Sequence, residues 1–102
     1  MSEANYHIQN GILTSYTGSD ETIVIPDGVT KIDSMVFFAK ESIKTVTIPG
    51  SVKTIGQGAF FNCANLSTVI IGSGTEVIET FAFRGCESLK SIKLPDSVTE
   101  ID

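Results

Sequence analysis

Residues 48–70 read Ile48-Pro-Gly-Ser-Val52-Lys-Thr-Ile55-Gly-Gln-Gly-Ala59-Phe60-Phe-Asn-Cys63-Ala-Asn-Leu66-Ser-Thr-Val69-Ile70, and the same template recurs on both sides of them. A step of 23 residues carries Ile48 to Ile25, Ile71 and Leu94, and Val52 to Val29, Thr75 and Val98. The same step aligns Ile55 with Ile32, Ile78 and Ile101, Ala59 with Val36 and Ala82, and Phe60 with Phe37 and Phe83. Cys63 falls in a column with Lys40 and Cys86, Leu66 with Ile43 and Leu89, and Val69 with Ile23, Val46 and Ile92. A fixed period of this length marks a repeat that cannot bury its apolar side alone and must stack on its neighbours. The register places repeats at 25–47, 48–70 and 71–93, with a partial repeat at 94–102.

Within a repeat, Lys44-Thr45-Val46-Thr47-Ile48 alternates polar and apolar side chains, as do residues 91–94 and, less cleanly, 67–71. That alternation is the period of a half-buried strand. Pro-Gly-Ser after Ile48, Gly-Ser-Gly after Ile71 and Pro-Asp-Ser after Leu94 then turn the chain. A second extended stretch, residues 52–55, follows. The Gly-Gln-Gly-Ala-Phe-Phe-Asn-Cys run is too short for an independent helix but suits a single helical turn packed inward. Near the N-terminus, Tyr6 to Tyr16 with Asn10-Gly11 at its centre reads as a hairpin with a type I′ turn. Tyr6, Ile8 and Leu13 would share its inner face, and residues 1–20 would cap the array in residues 21–102.

Leu66-x-x-Val69-x-Ile71 and the fuller pattern Ile-Pro-x-x-Val-x-x-Ile-x-x-x-Ala-Phe-x-x-Cys-x-x-Leu-x-x-Val resemble the BspA-type leucine-rich repeats. The resemblance covers residues 21–102. It departs at Lys40, where the family prefers Cys, at Thr75 for Val, and at Gly72 for Pro. It implies an α/β repeat solenoid, a right-handed β/α superhelix of short parallel strands and single helical turns, dominated by β structure. Through adhesin and host-contact members of the family, it also implies a protein-binding module of a bacterial surface or secreted protein. Residues 1–5 carry no basic n-region or apolar h-region, which fits either a cytoplasmic protein or one whose signal has been removed.

The chemistry-bearing residues are few and scattered. His7 is the single histidine and has no orienting partner near it in sequence, so a Ser-His-Asp or Cys-His arrangement is not expected. Nucleophile-elbow, phosphate-loop and HExxH patterns are absent, and the acidic residues do not follow calcium-loop spacing. The chain reads as no enzyme and as needing no cofactor or metal. Cys63 and Cys86 share a column, so stacking sets them on adjacent repeats. Buried thiols are the first reading, a disulfide the second and a metal site the third. A net charge of −5 argues against nucleic acid, which needs a basic footprint, and no apolar run reaches the roughly 18 residues a membrane-spanning helix requires.

If Val46 and Ile48 point inward, strand alternation sends their neighbours outward. The outward columns are Thr22, Thr45, Thr68 and Ser91; Val24, Thr47, Ile70 and Lys93; and Glu21, Lys44, Ser67 and Lys90. This hydroxyl-rich face is the candidate surface for a protein partner, although Thr also stacks well in sheets that bind nothing. Phe38, Phe61 and Phe81 lie outside the main columns and either pack laterally between repeats or form a contact patch. The sequence stops at Ile101-Asp102, partway through a repeat, which would leave Ile92, Leu94, Val98 and Ile101 on an open face. That suggests either a piece of a longer array or a homo-oligomer paired through its last repeat, and with it a second function as a spacer or assembly element.

Overall fold

The computed structural model describes residues 6–95, 98, 100 and 101, and of Ser91, Lys93, Glu100 and Ile101 only the backbone. Among the described residues, ten short strands form two sheets. β1 (Tyr6–Gln9) and β2 (Ile12–Tyr16) make the hairpin; β3 (Thr22–Val24), β5 (Thr45–Ile48), β7 (Thr68–Ile71) and β9 (Ser91–Lys93) make one parallel sheet. β4 (Lys31–Ile32), β6 (Thr54–Ile55), β8 (Val77–Ile78) and β10 (Glu100–Ile101) extend from β2 as the other sheet, in the order β1-β2-β4-β6-β8-β10. The pairs Val46 with Val69 and Ile55 with Ile78 show the register to be the 23-residue step itself. Residues in one sequence column are therefore hydrogen-bonded neighbours.

The inward columns fill the space between the sheets. Ile23, Ile25, Val29, Ile32, Val46, Ile48, Val52 and Ile55 are buried, each β-branched side chain suiting the pleated surface it leaves. Phe37, Phe60 and Phe83 stack face to face at 4.9 and 5.2 Å between ring centroids, each pair tilted by 2°. Parallel rings at that spacing are offset stacks, worth about 0.5–1.5 kcal/mol beyond the area they bury. The hairpin continues this column: Tyr16 lies 5.2 Å from Phe37 and Tyr6 lies 5.0 Å from Tyr16. Leu13, paired with Ile32, continues the isoleucine column in the same way.

Asn10 and Gly11 have φ of 55° and 79°, as a type I′ turn requires. The expected inner face of the hairpin holds for Tyr6 and Leu13 but not for Ile8, which is exposed. The register shifts between His7 and Ile8, leaving Thr14 bulged, with its hydroxyl donating to the His7 carbonyl at 2.9 Å. The bulge lets Leu13 and Tyr16, an odd number of residues apart, both face the core. Ile8 remains on β1, the edge of the sheet.

The single helical turn does not form, and no helix occurs among the described residues. Positions 35 and 39 have left-handed φ, as do 58 and 62 in the next repeat and 81 and 85 in the third. A left-handed residue every fourth position breaks any run of right-handed helix. The amides then divide their bonds. Phe38 and Lys40 donate back within their own repeat to Met35 and Phe37, whereas Met35, Phe37 and Ala39 donate across to Gln57, Ala59 and Phe61. The second repeat does the same, with Gly58, Phe60 and Asn62 donating to Thr80, Ala82 and Arg84. This ladder of turns is a third side of the molecule, and it makes the fold a β structure rather than an α/β one.

The departures from the repeat template each have a partner. Thr75 is fully buried in the Val29/Val52 column, and its hydroxyl donates to the Val52 carbonyl at 2.7 Å. One repeat earlier the Ser51 hydroxyl serves the Val29 carbonyl at 2.9 Å, and Gly74 stands where that serine would recur. Thr75 thus supplies the hydroxyl that Gly74 lacks. At Gly72, a Cβ would lie 2.6 Å from the Gly50 amide nitrogen, so close packing of two repeats excludes a side chain where Pro26 and Pro49 otherwise stand. Lys40, in the cysteine column, holds its ammonium 5.8 Å from the Tyr16 ring centroid, a cation–π contact with the hairpin.

Candidate functional site

The outward side of the β3-β5-β7-β9 sheet assembles the columns expected from strand alternation. Thr22, Thr45, Thr68 and Ser91 pair in register, as do Val24, Thr47, Ile70 and Lys93. Between them Ile23, Val46 and Val69 turn inward and are buried. Thr22 and Thr68 are exposed and Thr45 and Thr47 half-buried; Val24 and Ile70, on either side of Thr47, have more than half of each residue in solvent, 57% and 51%. The side chains of Ser91 and Lys93 lie outside the described residues. Adjacent hydroxyls repeat at the strand spacing of about 4.8 Å.

One edge of this face carries charge. Lys44 Nζ lies 3.7 Å from Glu21 Oε2, both side chains largely in water, so the pair contributes little to stability. Ser67, the next member of that column, donates its hydroxyl to the Lys44 carbonyl at 3.2 Å, and Lys90 is exposed beyond it. The face therefore offers hydroxyl donors and acceptors, two exposed apolar side chains and two lysines. The hydroxyls of such a surface can hydrogen-bond the backbone of an extended polypeptide.

The other candidate groups are placed elsewhere. His7 is exposed on the edge strand β1. Cys63 and Cys86 are free and buried, donating from Sγ to the carbonyls of Phe37 at 3.0 Å and Phe60 at 3.1 Å. Burial pushes the Cys63 thiol up to about 12 and raises that of Cys86. Neither is poised as a nucleophile, because the thiolate is the reactive form. Among the described residues no group of three or more His, Cys, Asp or Glu side chains is placed to hold a metal, and no helix is long and apolar enough to cross a membrane. Ile92 and Val98 pack partly buried against the core and Leu94 is 40% exposed, while the Ile101 side chain lies outside the described residues.

The third side holds the aromatic residues that lie outside the main columns. Phe38, Phe61 and Phe81 stack on one another across repeats, at 5.6 and 6.3 Å, yet Phe38 and Phe81 stay close to half exposed. Lateral packing and exposure are thus both realised. Met35 joins them, and the signal that could have found it is its position, 23 residues before Gly58 and 46 before Phe81.

A family model described as the BspA type leucine-rich repeat region (6 copies) matches residues 7–102. Among solved structures, a leucine-rich repeat protein of T. pallidum superposes with a TM-score of 0.85 at 35% identity, over 88% of this chain and 44% of that one. A leucine-rich cell surface protein of Faecalibacterium prausnitzii gives 0.82 at 36% identity, over 88% and 24%. A leucine-rich repeat protein of Bacteroides capillosus gives 0.83 at 33% identity, over 89% and 75%. The chain spans less than half the length of the first two. No curated protein matches it.

Proposed function

The chain belongs to the BspA-type leucine-rich repeat family, whose repeats generally bind proteins, and on that premise we propose that it is a non-enzymatic protein-binding module acting through the outward face of the β3-β5-β7-β9 sheet. The observation that carries this reading is the in-register row of Thr22, Thr45 and Thr68 beside the exposed Val24 and Ile70. Val24 and Ile70 face water on either side of Thr47 and contribute little to the core, and the neighbouring hydroxyls can satisfy the backbone groups of an extended partner. The setting is a bacterial surface or secreted protein, a location supported by the surface description of the F. prausnitzii relative.

Photo-crosslinking tests the face directly. A benzophenone amino acid placed at Thr45 or Thr68 in the protein expressed in its own cells gives discrete adducts with a partner, whereas one at Lys53, exposed just before β6 of the other sheet, does not. Adducts from Lys53 alone would move the site. The second reading, a spacer or self-assembly element, draws on the partial burial of Ile92 and Val98 and the exposure of Leu94. Light scattering over a concentration series separates the two, since association through the last repeat yields a dimer that Leu94→Glu dissolves.

A further inference from the structure

The hairpin leaves one edge of the larger sheet open. β1 pairs with β2 on one side and is the end strand of the six-stranded sheet. In a hairpin with a two-residue turn, the residues next to the turn exchange both of their backbone bonds, and bonded positions then alternate along the strand. Gln9 pairs with Ile12 beside the Asn10-Gly11 turn, so Gln9 and His7 bond to β2 while Tyr6 and Ile8 aim their amides and carbonyls away from it. The Thr14 hydroxyl on the His7 carbonyl fits that phase. Among the described residues, no backbone bond from outside the hairpin reaches Tyr6 or Ile8. Ile8 lies on the same face of β1 as the buried Tyr6, yet with no strand beyond it 45% of the residue is in solvent.

An open strand edge is a template for another strand, and natural edges are commonly blunted by charged residues, proline or a bulge on the edge strand itself. β1 reads Tyr-His-Ile-Gln and contains neither an acidic or basic charge nor proline, and the bulge at Thr14 lies on β2, inside the pair. The lack of charge extends through the whole hairpin. Residues 4–19 contain no Asp, Glu, Lys or Arg, although the chain carries a net charge of −5. Acidic chains repel one another as they approach. Two hairpins meet without local like-charge contacts.

We propose that β1 pairs antiparallel with β1 of a second copy of this chain, about a two-fold axis through His7, joining the two six-stranded sheets into one. In this register both outward residues are used. Tyr6 of each copy exchanges backbone bonds with Ile8 of the other, and the exposed Ile8 is covered by that tyrosine, a cross-strand pair of an aromatic with a β-branched side chain. A register centred on Ile8 would call on Asn10, whose φ of 55° commits it to the turn. The two His7 residues face each other as a non-bonded pair, with Cα atoms about 4.5 Å apart. The contact is self-complementary, as a two-fold dimer requires. Two four-residue edges bury less than the roughly 800 Å² per partner of a standard complex, so the dimer is reversible and concentration-dependent. It uses neither the strand face nor the last repeat and stands or falls separately from both readings above.

The test is sedimentation velocity over a concentration series. The weight-average mass rises reversibly toward twice that of one chain, and hydrogen exchange at the Tyr6 and Ile8 amides slows as concentration increases. Ile8→Pro removes an outward amide without touching a bond to β2, a change edge strands accept, and the variant stays monomeric. His7 is exposed, so His7→Lys and His7→Glu leave the hairpin intact. Each alone weakens self-association about fivefold, because like charges face each other across the axis, whereas their equimolar mixture dimerises at least as tightly as the native chain. Leu94→Glu leaves the dimer intact. The proposal is overturned if the native chain is monomeric throughout, which includes a monomer whose β1 edge takes a strand from a different protein. It is equally overturned if His7→Lys alone associates as tightly as the mixture, or if Leu94→Glu dissolves the dimer, which would place the contact at the last repeat.

Discussion

At the scale of the residue, the departures from the repeat are compensations. Thr75 fills a valine position, but the hydroxyl it brings satisfies the Val52 carbonyl that Gly74 cannot serve. Restoring the template with Thr75→Val therefore destabilises the protein by about 1–2 kcal/mol, the cost of a buried acceptor left without its donor. Urea denaturation measures this, and an unchanged midpoint would show the bond to be dispensable. The cysteines make a prediction about pH. Burial holds both folded thiols above the ordinary value of 9.0, so the unfolded chain ionises first. Their contribution is fully present below pH 9 and is lost as pH rises toward about 12, the value for Cys63. Tyr6 and Tyr16, also raised by burial, add to the loss above pH 10. Cys63→Ala makes the alkaline fall in stability shallower. At pH 7.5 neither thiol of the native protein reacts with a thiol reagent at the rate seen in denaturant, and equal rates would contradict their burial.

At the scale of the element, the strands and the hairpin turn were legible in the sequence because their signals are local: period-two alternation at 44–48 and Asn10-Gly11 between apolar runs. The missing helical turn was not legible. Ala59-Phe60-Phe61 has ordinary helical propensity, and what displaces the helix is a non-local set of bonds from Phe37 to Ala59 and from Phe60 to Ala82. The bulge at Thr14 escaped notice for a similar reason, since it follows from the need to bury both Leu13 and Tyr16. Tyr16 shows how much the hairpin contributes. It stacks on Phe37, receives the Lys40 ammonium and accepts a hydrogen bond from the Asp20 amide at 3.1 Å. Tyr16→Ala uncovers the first repeat and costs about 3–5 kcal/mol, the range for deleting a buried aromatic side chain. Thermal denaturation followed by circular dichroism checks this, and a loss below 1 kcal/mol would mean that the hairpin is not a cap.

At the scale of the molecule, the stacked columns make neighbouring repeats depend on one another. Phe60 lies between Phe37 and Phe83, so Phe60→Ala lowers the stability of the whole chain as one transition rather than melting a single repeat. Far-ultraviolet dichroism and tyrosine fluorescence should lose signal together, and separate midpoints would contradict that coupling. The strand face was legible from the repeat because its residues recur at the same step as the core. The exposed pair Met35 and Phe81 was not, since its placement depends on which backbone positions turn left-handed. The proposed function at this scale rests on the face formed by β3, β5, β7 and β9. The most direct measurement is the affinity of a partner crosslinked at Thr45 or Thr68 for the variant Thr45→Glu/Thr68→Glu, set against the control Lys53→Glu. The account predicts at least a tenfold loss for the first and no change for the second, with equal thermal midpoints. Undiminished affinity in the double variant would contradict it.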